Sequence, residues 1–178
     1  MWSKFDELSD KHGVQKMETV GPTYMAVGGL NKGMADCQPV DITEMALECI
    51  AEVKKLSEPD GTPLKLRVGV HSGEVLTGVV GTKKPQFSLF GDTVNTASRM
   101  QSTGEEMHVQ MSSAAYDEWR RATHGGSASP TRIEFEARTI KAKGKGDMAT
   151  FILRPQEDEE EDEPGLDRRS RRPSCTSR

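Results

Sequence analysis

Apolar residues recur along this chain at two spacings, and together they predict a mixture of helices and strands. An apolar position every three or four residues gives a helix one apolar face, whereas short apolar runs between turn-forming residues are typical of strands. The predicted elements are, in order, a helix over residues 2–12, strands over 14–20 and 24–27 joined by a tight turn, a helix over 41–56, strands over 64–71 and 87–90, a helix that starts near Gly91, a strand over 109–111, a helix over 112–121, and an antiparallel pair of strands over 133–140 and 149–153. This order favours an α+β fold of ferredoxin type, with helices packed on an antiparallel sheet.

Length and composition support one packed domain and leave part of the chain outside it. The chain has 178 residues, enough for a core, but 34% of them are hydrophobic, which is low for a domain that is packed throughout. The acidic run at residues 157–163 and the Arg- and Ser-rich end behind it have little to bury, so we expect residues 155–178 to form a disordered tail. We also expect the Gly- and Ser-rich residues 122–130 to form a surface loop.

Charge and cysteine content exclude some kinds of function. Without the tail, acidic and basic residues nearly balance, which gives no basis for binding nucleic acid or a membrane surface. No apolar run approaches the ~18 to 20 residues of a membrane span. The three cysteines, Cys37, Cys49 and Cys175, lack the spacing of a metal site and are typical of reduced thiols. These features predict a cytoplasmic location, and the chain could be the cytosolic part of a membrane-bound parent protein.

The helix that starts near Gly91 would carry two polar groups on one face. Asn95 and Arg99 lie four residues apart, so one stands a turn above the other and both point the same way. We expect Asp92 or Thr93 to cap the first turn. The apolar residues of the helix would take the opposite, buried side: Val94, Ala97 and Met100. An amide and a guanidinium side by side can hold one anion, although the spacing alone favours a solvated polar face.

Five segments, in a fixed order, resemble the nucleotidyl cyclase family, whose members make cyclic AMP or cyclic GMP. The segments are KMETVGPTYM at residues 16–25, LRVGVHSGEV at 66–75, GVVGTK at 78–83, FSLFGDTVNTASRM at 87–100 and KGKGDMATF at 143–151. The resemblance covers residues 1–154. It identifies the chain as similar to class III nucleotidyl cyclase catalytic domains of the guanylate cyclase type, and it implies their ferredoxin-like fold of an antiparallel sheet with helices.

Two departures from the family concern its metal site. Cyclases of this family begin with a strand that carries an aspartate and with a first helix, and this sequence starts after both, so we expect an N-terminally truncated domain. Where the family commonly has Gly-Asp in the hairpin turn, this chain has Gly21 and Pro22. The family uses those two aspartates to hold divalent cations, Mg²⁺ or Mn²⁺. The resemblance thus implies that the chain provides no metal ligand and that a partner subunit mainly holds the metal.

The half of the family's site that contacts phosphates is present. In the family the active site lies at a dimer interface, with metal ligands from one subunit and base- and phosphate-contacting groups from the other. By resemblance, Asn95 orients the ribose, Arg99 stabilises charge on the α-phosphate, and Lys143 binds the terminal phosphates. Lys145 is the alternative if the register differs by two residues, and in an unrelated protein Lys143 would be a solvated lysine in a Gly-rich turn.

The choice of base depends on Glu18 and Ser88. Glu18 stands where guanylate cyclases carry glutamate, and its carboxylate can accept hydrogen bonds from N1–H and the exocyclic amine of guanine. Adenine offers no such donor pair, so the carboxylate would be left unpaired. Ser88 stands where guanylate cyclases often have cysteine and adenylate cyclases aspartate, and its hydroxyl can serve either base. GTP is the expected substrate and ATP the alternative.

The resemblance implies an enzyme that converts GTP to cyclic GMP and pyrophosphate in cyclic nucleotide signalling. Its partner would be a second cyclase subunit or domain, as a homodimer or a heterodimer, and the chain alone should be inactive. Two alternatives remain open: a catalytically inactive regulatory pseudo-cyclase subunit and a fragment of a longer cyclase. Asn95, Arg99, Lys143 and Glu18 favour the enzyme subunit over the inactive one, whereas the absent first strand favours the fragment.

Overall fold

Helices and strands alternate along the chain largely as the apolar spacing predicts. The computed structural model describes residues 1–30, 37–124 and 133–155. Its elements, in chain order, are α1 (Trp2–Lys11), β1 (Gln15–Val20), β2 (Thr23–Val27), α2 (Pro39–Val53), β3 (Val68–Val70), β4 (Leu76–Val80), β5 (Gln86–Phe90), α3 (Asp92–Thr103), β6 (Val109–Ser112), α4 (Ser113–His124), β7 (Ile133–Ala142) and β8 (Gly146–Pro155). No helix in these ranges combines the length and the apolar character that crossing a bilayer requires.

The central sheet of the described residues has four strands in the order β3-β6-β8-β7, and the hairpins β1–β2 and β4–β5 form separate two-stranded sheets. Strand β8 pairs antiparallel with both β6 and β7, whereas β3 and β6 run parallel. A parallel pair needs a long crossover connection, and the segment that contains α3 provides it. The predicted α+β fold is confirmed, with one parallel pair in a sheet that was expected to be antiparallel.

Helix α2 stands between two apolar clusters. Its first cluster contains Ala46 and Ile50 together with Val109, Met111, Ala115 and Leu153 of the sheet and α4. Its second cluster contains Met45, Cys49 and Val53 together with Phe5 and Val14. Because both sets of α2 residues repeat every four positions, neighbouring sides of one helix contact both clusters. Each fully buried aliphatic side chain contributes about 1.5–3 kcal/mol, so α2 joins α1 firmly to the sheet.

The β1–β2 hairpin is held against α1 by aromatic and polar contacts. Trp2 stacks on Tyr24 with ring centroids 5.8 Å apart. The Tyr24 hydroxyl donates a 3.0 Å hydrogen bond to Asp6 Oδ1, and Lys16 Nζ donates to the other oxygen of the same carboxylate. Burial raises the pKa of Tyr24 to about 12, so this hydroxyl keeps its proton at neutral pH. The strand that carries Glu18 is therefore fixed relative to the core.

The structure corrects the predicted bounds of several elements, among them α2 and the strand predicted over residues 64–71. Helix α2 starts at Pro39, two residues earlier than predicted, because proline suits the first helical turn and the Gln38 N–H donates to Asp41 Oδ2 at 2.6 Å. The helix ends at Val53 instead of residue 56. The strand predicted over 64–71 is limited to Val68–Val70.

One strand was missed, and two predicted segments, a loop and the C-terminal tail, lie mostly outside the described residues. Strand β4 was not predicted, because Gly78 interrupts its apolar run. The predicted loop over 122–130 is wrong for its first three residues, which belong to α4, and the others lie outside the described residues. The predicted tail, residues 155–178, also lies outside the described residues, except for Pro155, which ends β8.

Candidate functional site

Helix α3 presents Asn95 and Arg99 on one side, as the spacing predicts. Thr96 and Met100 are fully buried beside them, and their packing fixes how the helix is rotated. Asn95 is left exposed and Arg99 half-buried. Asp92 lies on the same side of the helix, one turn before Asn95 and two turns before Arg99. We refer to Asp92, Asn95 and Arg99 as the α3 stripe, which is accessible to a ligand.

The first turn of α3 is held by contacts with other segments. Its N-cap residue is Gly91, and no side chain of the helix start caps the turn. The Thr93 hydroxyl instead donates to the Glu74 carbonyl, and the Asp92 carboxylate binds Lys145. The prediction that Asp92 or Thr93 caps the helix is wrong, because both side chains reach away from the backbone N–H groups. The start of α3 is therefore fixed by tertiary contacts.

Helix α3 also packs directly on β3. A Cβ atom at Gly69 would lie 2.1 Å from the Gln101 nitrogen and 2.6 Å from the Ala97 carbonyl oxygen, far inside van der Waals contact. Glycine alone permits this approach, so β3 sets the position of the helix. Ala97 and Val94, which were expected to be buried with Met100, are half-buried.

The turn between β7 and β8 carries both predicted lysines, and they differ in their contacts. Gly144 and Gly146 have φ angles of +85° and +72°, which glycine adopts readily, and they enclose Lys145. The Lys145 ammonium contacts Asp92 Oδ2 and so joins this turn to the α3 stripe. Lys143 is exposed and makes no hydrogen bond or ion pair with the described residues. Lys145, the alternative, is thus the lysine beside α3, and the role expected of Lys143 stays a prediction.

The two residues expected to contact the base lie on neighbouring strands. Gln86 Nε2 donates a 3.2 Å hydrogen bond to Glu18 Oε2, which connects β1 with β5. Gln86 and Ser88 are two residues apart in β5, so their side chains share one face of the strand. Glu18 therefore lies at the face of β5 that carries Ser88. Sequence reasoning missed Gln86, although the alternation of strand faces could have pointed to it.

A second polar cluster, near the first turn of α3, was also missed. His71 Nδ1 lies 2.6 Å from Ser112 Oγ, and the Ser72 hydroxyl donates to the Glu118 carboxylate. Burial lowers the pKa of His71, and the positive charge of Lys145 lowers it further, so the imidazole is neutral at pH 7. His71 and Ser72 follow β3 directly, and their contacts tie the end of β3 to β6 and α4. Their place in segment 66–75 was the available signal.

Within the part of the chain that the structure describes, the side chains do not fit a site for Mg²⁺ or Mn²⁺. Both cations prefer carboxylate oxygens, and the turn of the β1–β2 hairpin presents Gly21 and Pro22 instead. Over residues 1–30, 37–124 and 133–155, no group of three or more His, Cys, Asp or Glu side chains is arranged to hold a metal ion. The polar groups that this part of the chain presents are an amide, a guanidinium, an ammonium and a carboxylate.

The β4–β5 hairpin exposes a patch of large apolar side chains beside this site. Its members, with their exposed fractions, are Leu76 at 73%, Val80 at 51% and Phe90 at 44%, which share the face of Gln86 and Ser88; Val79 at 68% and Phe87 at 44% are exposed on the opposite face. Single exposed apolar residues are ordinary, but a group on one hairpin is typical of an interaction surface. The hairpin also carries Gln86 and Ser88 and leads into α3, so the patch adjoins the candidate site.

Comparison with known sequences gives matches over almost the whole described chain. The family model described as adenylate and guanylate cyclase catalytic domain matches residues 1–155. Human guanylate cyclase soluble subunit beta-2 is 43% identical over 154 residues, a match that covers 86% of this chain and 24% of that protein. The chain thus spans about a quarter of the length of this curated relative.

Solved structures give similar matches. The guanylate cyclase domain of RhGC from Catenaria anguillulae, solved in complex with GTP, superposes with a TM-score of 0.72 at 31% identity, covering 88% of this chain and 80% of that one. The catalytic core of a rhodopsin-guanylyl cyclase with converted specificity, in complex with ATPαS, gives a TM-score of 0.71 at 31% identity and covers 87% and 79%.

Proposed function

This chain belongs to the adenylate and guanylate cyclase catalytic domain family, and from that premise we propose that it forms one half of a guanylate cyclase active site. The site converts GTP to cyclic GMP and pyrophosphate, for use in cyclic nucleotide signalling. In this proposal residues 1–154 form the cyclase domain and contact the base and phosphates. A second cyclase subunit or domain, identical or different, completes the site.

One observation carries the proposal: separate segments of the chain meet at the start of α3. The α3 stripe places an amide and a guanidinium on one side of the helix, and the β7–β8 turn brings the Lys145 ammonium to it. Strand β5, which carries Ser88, runs into the same helix, and Gln86 connects that strand to Glu18. Groups suited to ribose and phosphate thus adjoin the start of α3, and the group suited to the base lies along the strand that leads into this helix.

The chemistry of these groups matches the steps of the proposed reaction. The ribose 3′-oxygen attacks the α-phosphorus, a bond forms between them, and the bond to the leaving pyrophosphate breaks. Asn95 can donate and accept hydrogen bonds and so orients the ribose. The planar guanidinium of Arg99 stabilises charge on the α-phosphate oxygens, and a lysine of the β7–β8 turn, Lys143 or Lys145, binds the terminal phosphates.

Guanine is the preferred base in this proposal because of Glu18. Its carboxylate accepts from N1–H and the exocyclic amine of guanine, and adenine would leave it unpaired. The hydrogen bond from Gln86 holds the carboxylate in place, and each carboxylate oxygen retains a lone pair for the base. Ser88 can serve either base, so ATP is the alternative substrate.

The partner is a second cyclase domain that docks beside the α3 stripe. The exposed apolar patch of the β4–β5 hairpin supports this assignment, because it adjoins the site and lacks a cover within the described residues. Bound Mg²⁺ or Mn²⁺ would neutralise the phosphates. The partner mainly holds these metal ions, because Pro22 stands in the turn that the family uses for one metal ligand. A cytosolic setting, free or attached to a membrane-bound parent, is part of the same proposal.

The test is reconstitution of the chain with a metal-competent cyclase subunit. We expect cyclic GMP from the mixture and none from the chain alone with Mg²⁺ or Mn²⁺. Asn95→Ala or Arg99→Ala should each lower kcat at least about a hundredfold. Ser98→Ala, an exposed change on another side of α3, is the matched control. Robust turnover by the chain alone, or full activity of both alanine variants, would contradict the proposal.

Pro22 also favours a second candidate, an inactive regulatory subunit, because proline cannot ligate a cation. This candidate predicts that the reconstituted mixture binds GTP and forms no cyclic GMP. Measuring binding and product in the same samples separates the two functions.

A further inference from the structure

We propose that Asp92 is a positioning residue for Lys145: it holds the ammonium on the α3 stripe when no nucleotide is bound, and the terminal phosphates of GTP must displace it. The proposal rests on the function proposed above and adds a competitor to it. Asp92 would therefore weaken nucleotide binding, and its removal would tighten it.

The geometry places the carboxylate where an incoming anion would need the lysine. Asp92 is two turns before Arg99 on the same side of α3. Lys145 comes from a different segment, the β7–β8 turn, and its ammonium contacts Asp92 Oδ2. The two glycines around Lys145 have left-handed backbone angles, so the turn presents this lysine in a defined direction. The ion pair thus spans the side of the site that phosphates would enter.

Exposure makes the ion pair exchangeable. The Lys145 side chain is 29% exposed and that of Asp92 72% exposed, so water and an incoming anion can reach both. A partly exposed ion pair of this kind is weak, because water screens it. A triphosphate offers several charged oxygens to a lysine, whereas Asp92 offers one carboxylate. Lys145 would therefore transfer from Asp92 to the terminal phosphates at a modest cost in affinity.

Other charges near the pair do not take over its role. Within the described residues, Lys145 is the cation in salt-bridge contact with Asp92. His71 lies close to both groups but is half-buried against Ser112 and neutral at pH 7. Glu118 faces Ser72, which donates a hydrogen bond to it. Removing the carboxylate of Asp92 would therefore leave Lys145 free for phosphate.

A purely structural role for Asp92 makes a different prediction. An acidic residue in the first turn stabilises a helix through its dipole. If that were its whole function, Asp92→Asn would lower stability, and nucleotide affinity would stay the same or fall. Tighter binding that disappears when Lys145 is replaced is the result that positioning of Lys145 explains, because relief of charge repulsion by Asp92 would tighten binding with or without this lysine.

The experiment measures binding of 3′-deoxy-GTP, which lacks the attacking hydroxyl, to the full chain assembled with a metal-competent cyclase subunit. Calorimetry gives Kd for the wild type, Asp92→Asn, Lys145→Met and the double variant. Asp147→Asn is the matched control, because it removes an exposed carboxylate from the same turn region that forms no salt bridge with Lys145 within the described residues. Cyclic GMP formation from GTP is measured in parallel, with kcat and KM determined separately.

We expect Asp92→Asn to lower Kd and KM about two- to fivefold, the worth of a partly exposed ion pair, while Asp147→Asn leaves both unchanged. Lys145→Met should raise Kd, and adding Asp92→Asn to it should bring no further tightening. A Kd for Asp92→Asn equal to that of Asp147→Asn, or higher, overturns the inference, as does absence of any binding by the wild type. Binding without cyclic GMP from any sample would overturn the proposed function and still leave Kd to judge Asp92.

Discussion

Replacing Gly69 with alanine tests whether the contact between β3 and α3 positions the site. The added Cβ would stand 2.1 Å from the Gln101 nitrogen and 2.6 Å from the Ala97 oxygen, both backbone atoms of α3. Carbon and oxygen or nitrogen normally approach no closer than about 3.4 Å, so the helix must move by about 1 Å to relieve the clash. Backbone atoms cannot rotate away as a side chain can.

The displacement has two measurable consequences. Moving α3 away from β3 disturbs the packing of the fully buried Met100, and overpacking of this kind costs about 3 kcal/mol, or about 6–12 °C in Tm for a chain of this size. The same movement carries Asn95 and Arg99 with the helix. A misplacement of about 1 Å in a catalytic arrangement costs on the order of a hundredfold in rate.

The assay combines thermal unfolding of the chain with cyclic GMP formation in the reconstituted complex. Gly78→Ala is the matched control, since it is another strand glycine with an ordinary backbone angle and its Cβ would meet only Phe90 Cε2 at 3.8 Å. We expect Gly78→Ala to behave nearly as the wild type. If Gly69→Ala has the same Tm and the same kcat as Gly78→Ala, the argument that β3 positions the site is refuted.

Two further predictions follow from single contacts. Gln86→Leu removes the hydrogen bond to Glu18, so the preference for GTP over ATP, as a ratio of kcat/KM, should fall about tenfold, the worth of one charge-assisted hydrogen bond; an unchanged ratio would argue against this role. His71 has its pKa lowered from 6.5 by burial, so the unfolded chain binds its proton more readily, and stability should decrease as pH falls through about 6.5. Urea unfolding of His71→Gln at pH 7.5 and 5.5 should show a smaller decrease than the wild type, and equal decreases would exclude His71 as the source.

Local patterns were sufficient for much of the fold. The shared side of Asn95 and Arg99 follows from helical periodicity within five residues, and the structure places both residues as predicted. The β1–β2 and β7–β8 hairpins follow from apolar runs that flank Gly-containing turns. Neighbouring residues specify such features, and a sequence pattern therefore captures them.

Contacts between distant segments were not predictable in the same way. Asp92 and Lys145 are 53 residues apart, and Glu18 and Gln86 are 68 apart. No periodic pattern in the sequence predicts either contact. The predicted cap of α3 was wrong because the side chains of Asp92 and Thr93 bind partners on other segments. The contact of Gly69 with α3 likewise exists only once the helix lies on the sheet. The periodicity of a sequence indicates which face of one segment is buried. Which side chains of different segments contact each other is determined by tertiary packing, and the candidate site depends on those contacts.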